Sequence, residues 1–196
     1  MHESRTRVIV EIALTVALAA VLRRFAVWQM PFGGSVSLDM LPLVVLAVRR
    51  GVRVGVTAGV LFGFVDLLIE PYIVHWAQVI LDYPLAFGLV GLAGLVHPLA
   101  RRGVSDAATP RARTLTLAWT AAAGALIGAT ARFASHFTSG VIFFAANAPK
   151  GQPVLVYSAV YNLTYLLPSA VAAAILAAVL LPALELAVPS AVPARG

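Results

Sequence analysis

The sequence predicts an all-α integral membrane protein with six transmembrane helices and both termini cytoplasmic. Three observations carry that expectation. Of the 196 residues, 61% are hydrophobic and only 11% are charged, whereas a soluble domain carries about 25% charged residues; the mean hydropathy is +0.93. The length accommodates about six spans of roughly 20 residues joined by short loops, which leaves no room for a separate soluble domain, so residues 1–196 read as one membrane domain. The arginines are also distributed unevenly. Six spans place Arg5, Arg7, Arg49, Arg50, Arg53, Arg101, Arg102, Arg111, Arg113 and Arg195 on the side of the termini, and only Arg23, Arg24, Arg132 and Lys150 on the other. The positive-inside rule makes the first side cytoplasmic.

The first span is expected over Val8 to Val21, extending toward Met30, and reads as a retained helix rather than a removable signal. Ala13 and Ala17 lie four apart on it and form a strip where another helix can approach closely. Arg23 and Arg24 interrupt the apolar run, as at an interface or cavity. Trp28 and the turn-rich Pro31-Phe32-Gly33-Gly34-Ser35 follow. A short second span, Leu38 to Val48, ends at Arg49-Arg50-Gly51. The third covers Val52 to Ile69, with Gly55, Gly59 and Gly63 recurring every fourth residue for tight helix packing. Asp66 and Glu70, near its far end, read as solvated or paired with arginine.

The fourth span is expected from Val74 to about Val96. Gln78 and Asp82 share a face with His75, and Pro84 predicts a kink. An ionised carboxylate at the depth of Asp82 costs roughly 2.5–3.5 kcal/mol on insertion scales, so it needs a partner or a wet cavity and marks a functional site. An aqueous connection is expected from His97 to Arg113. The fifth span runs from Leu115 to Ala131 and continues into the polar Arg132-Phe133-Ala134-Ser135-His136; Arg132, His136 and Gly140 recur every four residues. The sixth is expected from Val154 to Val188, with Tyr157, Ser158, Tyr161 and Asn162 in its first turns, a kink at Pro168 and an end at Pro182.

In this topology the unusual polar and aromatic residues gather in the outer half: Trp28, Tyr72, Asp82, Tyr83, His136, Phe144, Tyr157 and Asn162. They describe a pocket that opens outward, not a continuous pore. A carboxylate beside aromatic faces suits an organic cation, through charge and cation–π attraction. The formal charge of +6 does not indicate nucleic acid, because the arginines flank the spans. With no cysteine, disulfides and thiolate metal sites are excluded. Nothing resembles a nucleophile–base pair or a phosphate-binding loop, so an enzyme is not expected; the enzyme alternative is a metal-dependent intramembrane site built on His75, Asp82 and His136.

Four segments carry a resemblance: Gly33-Gly34-Ser35-Val36-Ser37-Leu38-Asp39-Met40-Leu41-Pro42 with Arg49-Arg50-Gly51; Tyr72 to Phe87; His136-Phe137-Thr138-Ser139-Gly140-Val141-Ile142-Phe143-Phe144; and Tyr157-Ser158-Ala159-Val160-Tyr161-Asn162. In this order and spacing, across roughly residues 8–180, they resemble the thiamine-specific substrate-binding (S) component of energy-coupling factor (ECF) transporters. The resemblance implies a six-helix bundle in the bacterial cell membrane that captures thiamine from outside. It implies no cofactor of its own and no ATPase. The partners implied are a transmembrane coupling protein and two cytoplasmic ATP-binding subunits, which hydrolyse the ATP. The ligand residues implied are Asp82, Tyr83, Tyr72, His136, Gly140, Tyr157 and Asn162, with Arg132 less directly; Ala13 and Ala17 are implied to dock the coupling protein. Phe144 stands where a member of the family has tryptophan. That member's first-loop tryptophan falls at about Gly33 and a following acid at Ser37, so Trp28 or Asp39 would have to compensate. An S component for another vitamin, such as uncharged riboflavin, would not need Asp82.

Overall fold

The computed structural model describes residues 5–187. They form six helices: α1 (Arg5–Arg24), α2 (Met40–Arg50), α3 (Val52–Ile69), α4 (Trp76–Ser105), α5 (Pro110–Phe143) and α6 (Val154–Ala187). Four of these, α3 to α6, are long and apolar enough to cross a membrane. Helix α1 is long enough, but Arg5, Arg7, Glu11, Arg23 and Arg24 dilute its apolar character. Helix α2 has 11 residues and so extends only about 16 Å, yet most of it is buried at the bundle centre. The outward faces carry Leu14, Phe64, Leu68, Ile80, Trp119, Leu126 and Ile175, all exposed, as expected of surfaces solvated by lipid.

The glycine strip of α3 meets a second strip on α4. A side chain on Gly59 would run into the carbonyl of Phe87, and one on Gly63 into that of Tyr83; in return, Gly91 and Gly94 lie against the backbone of α3. Below this seam sits the apolar core, with Met40, Leu43 and Val44 of α2, Phe62 of α3, and Phe87 and Val90 of α4, all essentially inaccessible. The rings of Phe62 and Phe87 meet edge to face at 4.6 Å.

Helix α1 is attached differently. Among its described residues only Ala19 and Arg23 are buried. At one end Glu11 accepts from Arg50 at 2.6 Å; at the other Arg23 enters the bundle. Ala13 and Ala17 remain exposed, so this small-residue strip does not pack against another helix of the chain.

Several boundaries differ from the sequence expectation. Helix α1 stops at Arg24, and a small antiparallel pair, Trp28–Gln29 with Ser35–Val36, follows where a continuation to Met30 was expected. The aqueous connection expected over 97–113 shrinks to residues 106–109, because α4 continues to Ser105 and α5 already starts at Pro110. The helix passes Pro98 because that residue begins a new turn after the tight 3₁₀ stretch Gly91–Val96, where no N–H is required of it. Pro182 does not end α6, which runs on to Ala187; burial of Leu181 and a 2.7 Å ion pair between Glu185 and Arg49 hold the turn despite the lost hydrogen bond. Val188, Arg195 and the extreme N-terminus, on which the termini's orientation depends, lie outside the described residues.

Candidate functional site

The expected kink in α4 is a π-helical turn, Leu81–Leu85, which holds both Asp82 and Pro84. Pro84 lacks an N–H, and a wide turn absorbs the missing bond. The carbonyl of Leu81, within the same turn, accepts from Ser135 Oγ of α5 at 2.7 Å. The turn delivers Asp82 into a cavity with about 630 Å³ of empty space, its open mouth included.

Asp82 is held by three donors. Gln78 Nε2, one turn earlier, donates to Oδ2 at 2.7 Å. Ser139 Oγ of α5 donates to the same oxygen at 2.9 Å. His136 Nδ1 lies 3.1 Å from Oδ1. These contacts fix the direction of its two oxygens. Behind His136, Arg132 Nε donates to Nε2 at 3.2 Å. Arg132 itself is buried, with its guanidinium 4.0 Å from the centre of the Phe87 ring, and its Nη1 lies 3.3 Å from Asp39. It does not snorkel.

Arginine 23 supplies the second buried cation. Its Nε lies 2.8 Å from Asp66, in ionic rather than hydrogen-bonding geometry, and its Nη2 lies 3.1 Å from Glu70. It also donates to Ser35 Oγ and stands 3.9 Å from Asp39. Asp66 is therefore paired with arginine, as one of its two sequence readings had it, and it lines the cavity as well.

The walls are aromatic. Tyr72 and Phe144 stack at 6.0 Å and 25°. Tyr157, Tyr161 and Tyr165 form a stripe on α6 at successive four-residue steps, with neighbouring rings 5.7 and 6.3 Å apart. Over them folds the loop at Pro31–Gly34. Tyr161 Oη accepts from the N–H of Phe32 at 2.9 Å and donates to the carbonyl of Gly33 at 3.0 Å. Gly33 and Gly34 both have φ near +87°, a region open to glycine at no steric cost. A side chain at Gly34 would also strike the Tyr165 ring.

Of the residues expected at a ligand, the cavity is lined by Asp82, Tyr83, Tyr72, His136, Gly140, Phe144, Tyr157, Asn162 and Arg132. Trp28 is not among them. It is 63% exposed and pairs with Val36 in the hairpin, so the loop tip rather than its tryptophan covers the cavity. His75 also stays outside: it is exposed and turned back on its own helix, where its Nδ1 accepts from the N–H of Ala77. Among the described residues no group of three histidines or acids converges as a metal site would require.

Some lining residues have their polar groups already occupied. Tyr83 Oη accepts from the N–H of Tyr72 at 2.7 Å and donates to the carbonyl of Glu70 at 3.0 Å. Gln78 donates to the carbonyl of Tyr72 and accepts from the N–H of Val74. Together they pin the α3–α4 loop that presents Tyr72. Asn162 bridges α5 and α6, donating to the carbonyls of His136 and Ser158 and accepting from Tyr165 Oη. Gly140 lets α6 approach, since a side chain there would collide with Ser158. Tyr165 and Ser139 were not singled out from sequence. Tyr165 had a signal, since it continues the spacing of Tyr157 and Tyr161.

Apolar helices surrounding a cavity with one oriented carboxylate and stacked aromatic walls define a small-molecule site inside a helical membrane protein. The family model described as thiamine transporter protein (Thia_YuaJ) matches residues 9–188, and the chain belongs to that family. It is a family of transporters rather than of enzymes. Thiamine transporter ThiT of Bacillus subtilis (strain 168) is 36% identical over 162 residues, covering 81% of this chain and 82% of that protein. Thiamine transporter ThiT of Lacticaseibacillus paracasei is 37% identical over 125 residues, covering 62% of this chain and 60% of that one. The fold matches the solved structure of ThiT from Listeria monocytogenes with a TM-score of 0.79 and 29% identity, covering 92% of this chain and 96% of the other.

Proposed function

We propose that the chain is the thiamine-binding S component of an ECF-type importer in the bacterial cell membrane. The observation that carries the reading is the Asp82 carboxylate, held by Gln78, Ser139 and His136 within an aromatic-walled cavity. Thiamine has a permanently cationic thiazolium, an aminopyrimidine and a hydroxyethyl tail. Asp82 balances the cation or accepts from the exocyclic amine, while Tyr72, Phe144 and Tyr157 offer faces for stacking. Tyr83, Asn162 and Gly140 act mainly by holding these groups in place.

In this reading the chain is one binding domain. All six helices lie in the membrane, with α1 and α2 carried by their neighbours, both termini are cytoplasmic, and the loop of Pro31–Gly34 faces outside. The protein has no cofactor of its own. A transmembrane coupling protein docks on the exposed Ala13–Ala17 strip, and two cytoplasmic subunits hydrolyse ATP.

The test is calorimetric titration of the purified protein. Trp28, Trp76 and Trp119 are all exposed, so intrinsic fluorescence is a poor reporter of this cavity. Saturable one-to-one thiamine binding, with none for riboflavin, is expected; a preference for riboflavin would overturn the assignment. Phe144→Ala removes the ring stacked on Tyr72 and is expected to cost roughly 0.5–2 kcal/mol of binding, while Phe144→Trp binds at least as well as the native protein. Undiminished binding by Phe144→Ala would place the ligand elsewhere.

A further inference from the structure

The geometry points to Asp39 as a positioning residue of this site: through Arg132 it holds His136 neutral with its proton on Nδ1, which keeps the charge of Asp82 available to a cationic ligand. Asp39 is fully buried at the start of α2, but its side chain does not cap that helix. It is turned instead to Arg132 on α5, 3.3 Å away. A guanidinium has donors only, so His136 Nε2, 3.2 Å from Arg132 Nε, must accept. The one proton of the neutral ring is then on Nδ1, directed at Asp82 Oδ1. A second proton on Nε2 would face the arginine N–H, so the imidazolium is excluded while Arg132 stays in place. The groups facing His136 are Asp82 from α4, Arg132 on its own helix, Asp39 from α2 and Tyr165 from α6, whose ring is 6.0 Å away; Arg23 and Asp66 lie behind them.

The consequence rests on the thiamine reading. A charged His136 would form an ion pair with Asp82 and compete with the ligand cation. Protonation occurs as pH falls through the ordinary histidine range near about 6.5, so an unconstrained His136 would weaken binding on the acid side. Asp39 and Arg132 remove that dependence. Without Asp39, Arg132 would lose its nearest counter-ion, and Asp82, behind His136, would attract it instead.

The decisive variant is Asp39→Asn with Arg132→Gln, which removes both charges and strands neither. In ligand-free protein carrying ¹⁵N-histidine, with His136→Gln to locate the signals, native His136 is expected to stay neutral and Nδ1-protonated from pH 8 to pH 6. In the double variant it should titrate within that window. Calorimetry with thiamine should show less than a twofold change for the native protein across the window, and at least fivefold weaker binding at pH 6 than at pH 8 for the double variant. Asp39→Asn alone should bind at least tenfold more weakly than native at pH 8, with most of the loss recovered in the double variant. Native His136 that titrates or carries its proton on Nε2, a double variant as flat as native, or a fully active Asp39→Asn would each overturn the relay. If the native protein binds no thiamine, the nuclear magnetic resonance result still decides the relay, and only the functional reading falls.

Discussion

Asp82→Asn is expected to bind thiamine about a hundredfold more weakly than the native protein, a loss of about 2.7 kcal/mol. The substitution keeps size and shape but removes the charge. It also leaves a donor group facing Gln78 and Ser139, both of which now donate to Oδ2 at 2.7 and 2.9 Å. One of those contacts becomes repulsive or the amide rotates, so orientation is lost together with charge. Calorimetry on a variant whose thermal unfolding matches the native protein checks the expectation. An unchanged dissociation constant would remove Asp82 from the ligand's surroundings and, with it, the main physical argument for a cation.

Ala13→Leu combined with Ala17→Leu is expected to abolish ATP-dependent thiamine uptake while leaving affinity in detergent within about twofold of native, a difference below roughly 0.4 kcal/mol. Both alanines are exposed on α1, and the helix is held on other faces, by Arg23 at one end, the Glu11–Arg50 pair at the other and Ile12, Val16, Ala19 and Ala20 against the core. Two leucines would therefore meet only lipid in the isolated chain, but would obstruct a coupling helix that requires close approach. Uptake into vesicles containing the coupling module, measured beside calorimetry on the same preparation, separates the outcomes. Full uptake defeats the docking assignment, and so does a parallel loss of binding.

Local spacing made much of this legible. Gln78 and Asp82 meet because they are four apart on a helix, and the period of Gly55, Gly59 and Gly63 announced a close seam before its partner on α4 was known. Third-span bounds were readable because Gly51 and Glu70 punctuate a predominantly apolar run. What stayed hidden depends on pairs distant in sequence. Nothing in the neighbourhood of Arg23 says that it reaches Asp66 and Glu70, or that Asp39 prefers Arg132 to its own helix end. Tyr83 looked like a ligand group, yet the loop it faces takes its hydroxyl. Trp28 drew attention as an aromatic in the right loop, but two residues of strand pairing turn it outward.

The floor of the cavity bears on the membrane's electrical insulation. The polar groups end at the Arg132–Asp39 pair, with the Arg132 guanidinium on the Phe87 ring, and beyond it come Phe62, Met40, Leu43 and Val44 with no measurable exposure among them. A bare cation entering that layer would shed its hydration at a cost of several kcal/mol or more. The glycine seam between α3 and α4 brings backbone against backbone beside it. A membrane protein with such a floor can stand in many copies without discharging the voltage across the bilayer. Any passage downward requires the helices themselves to rearrange.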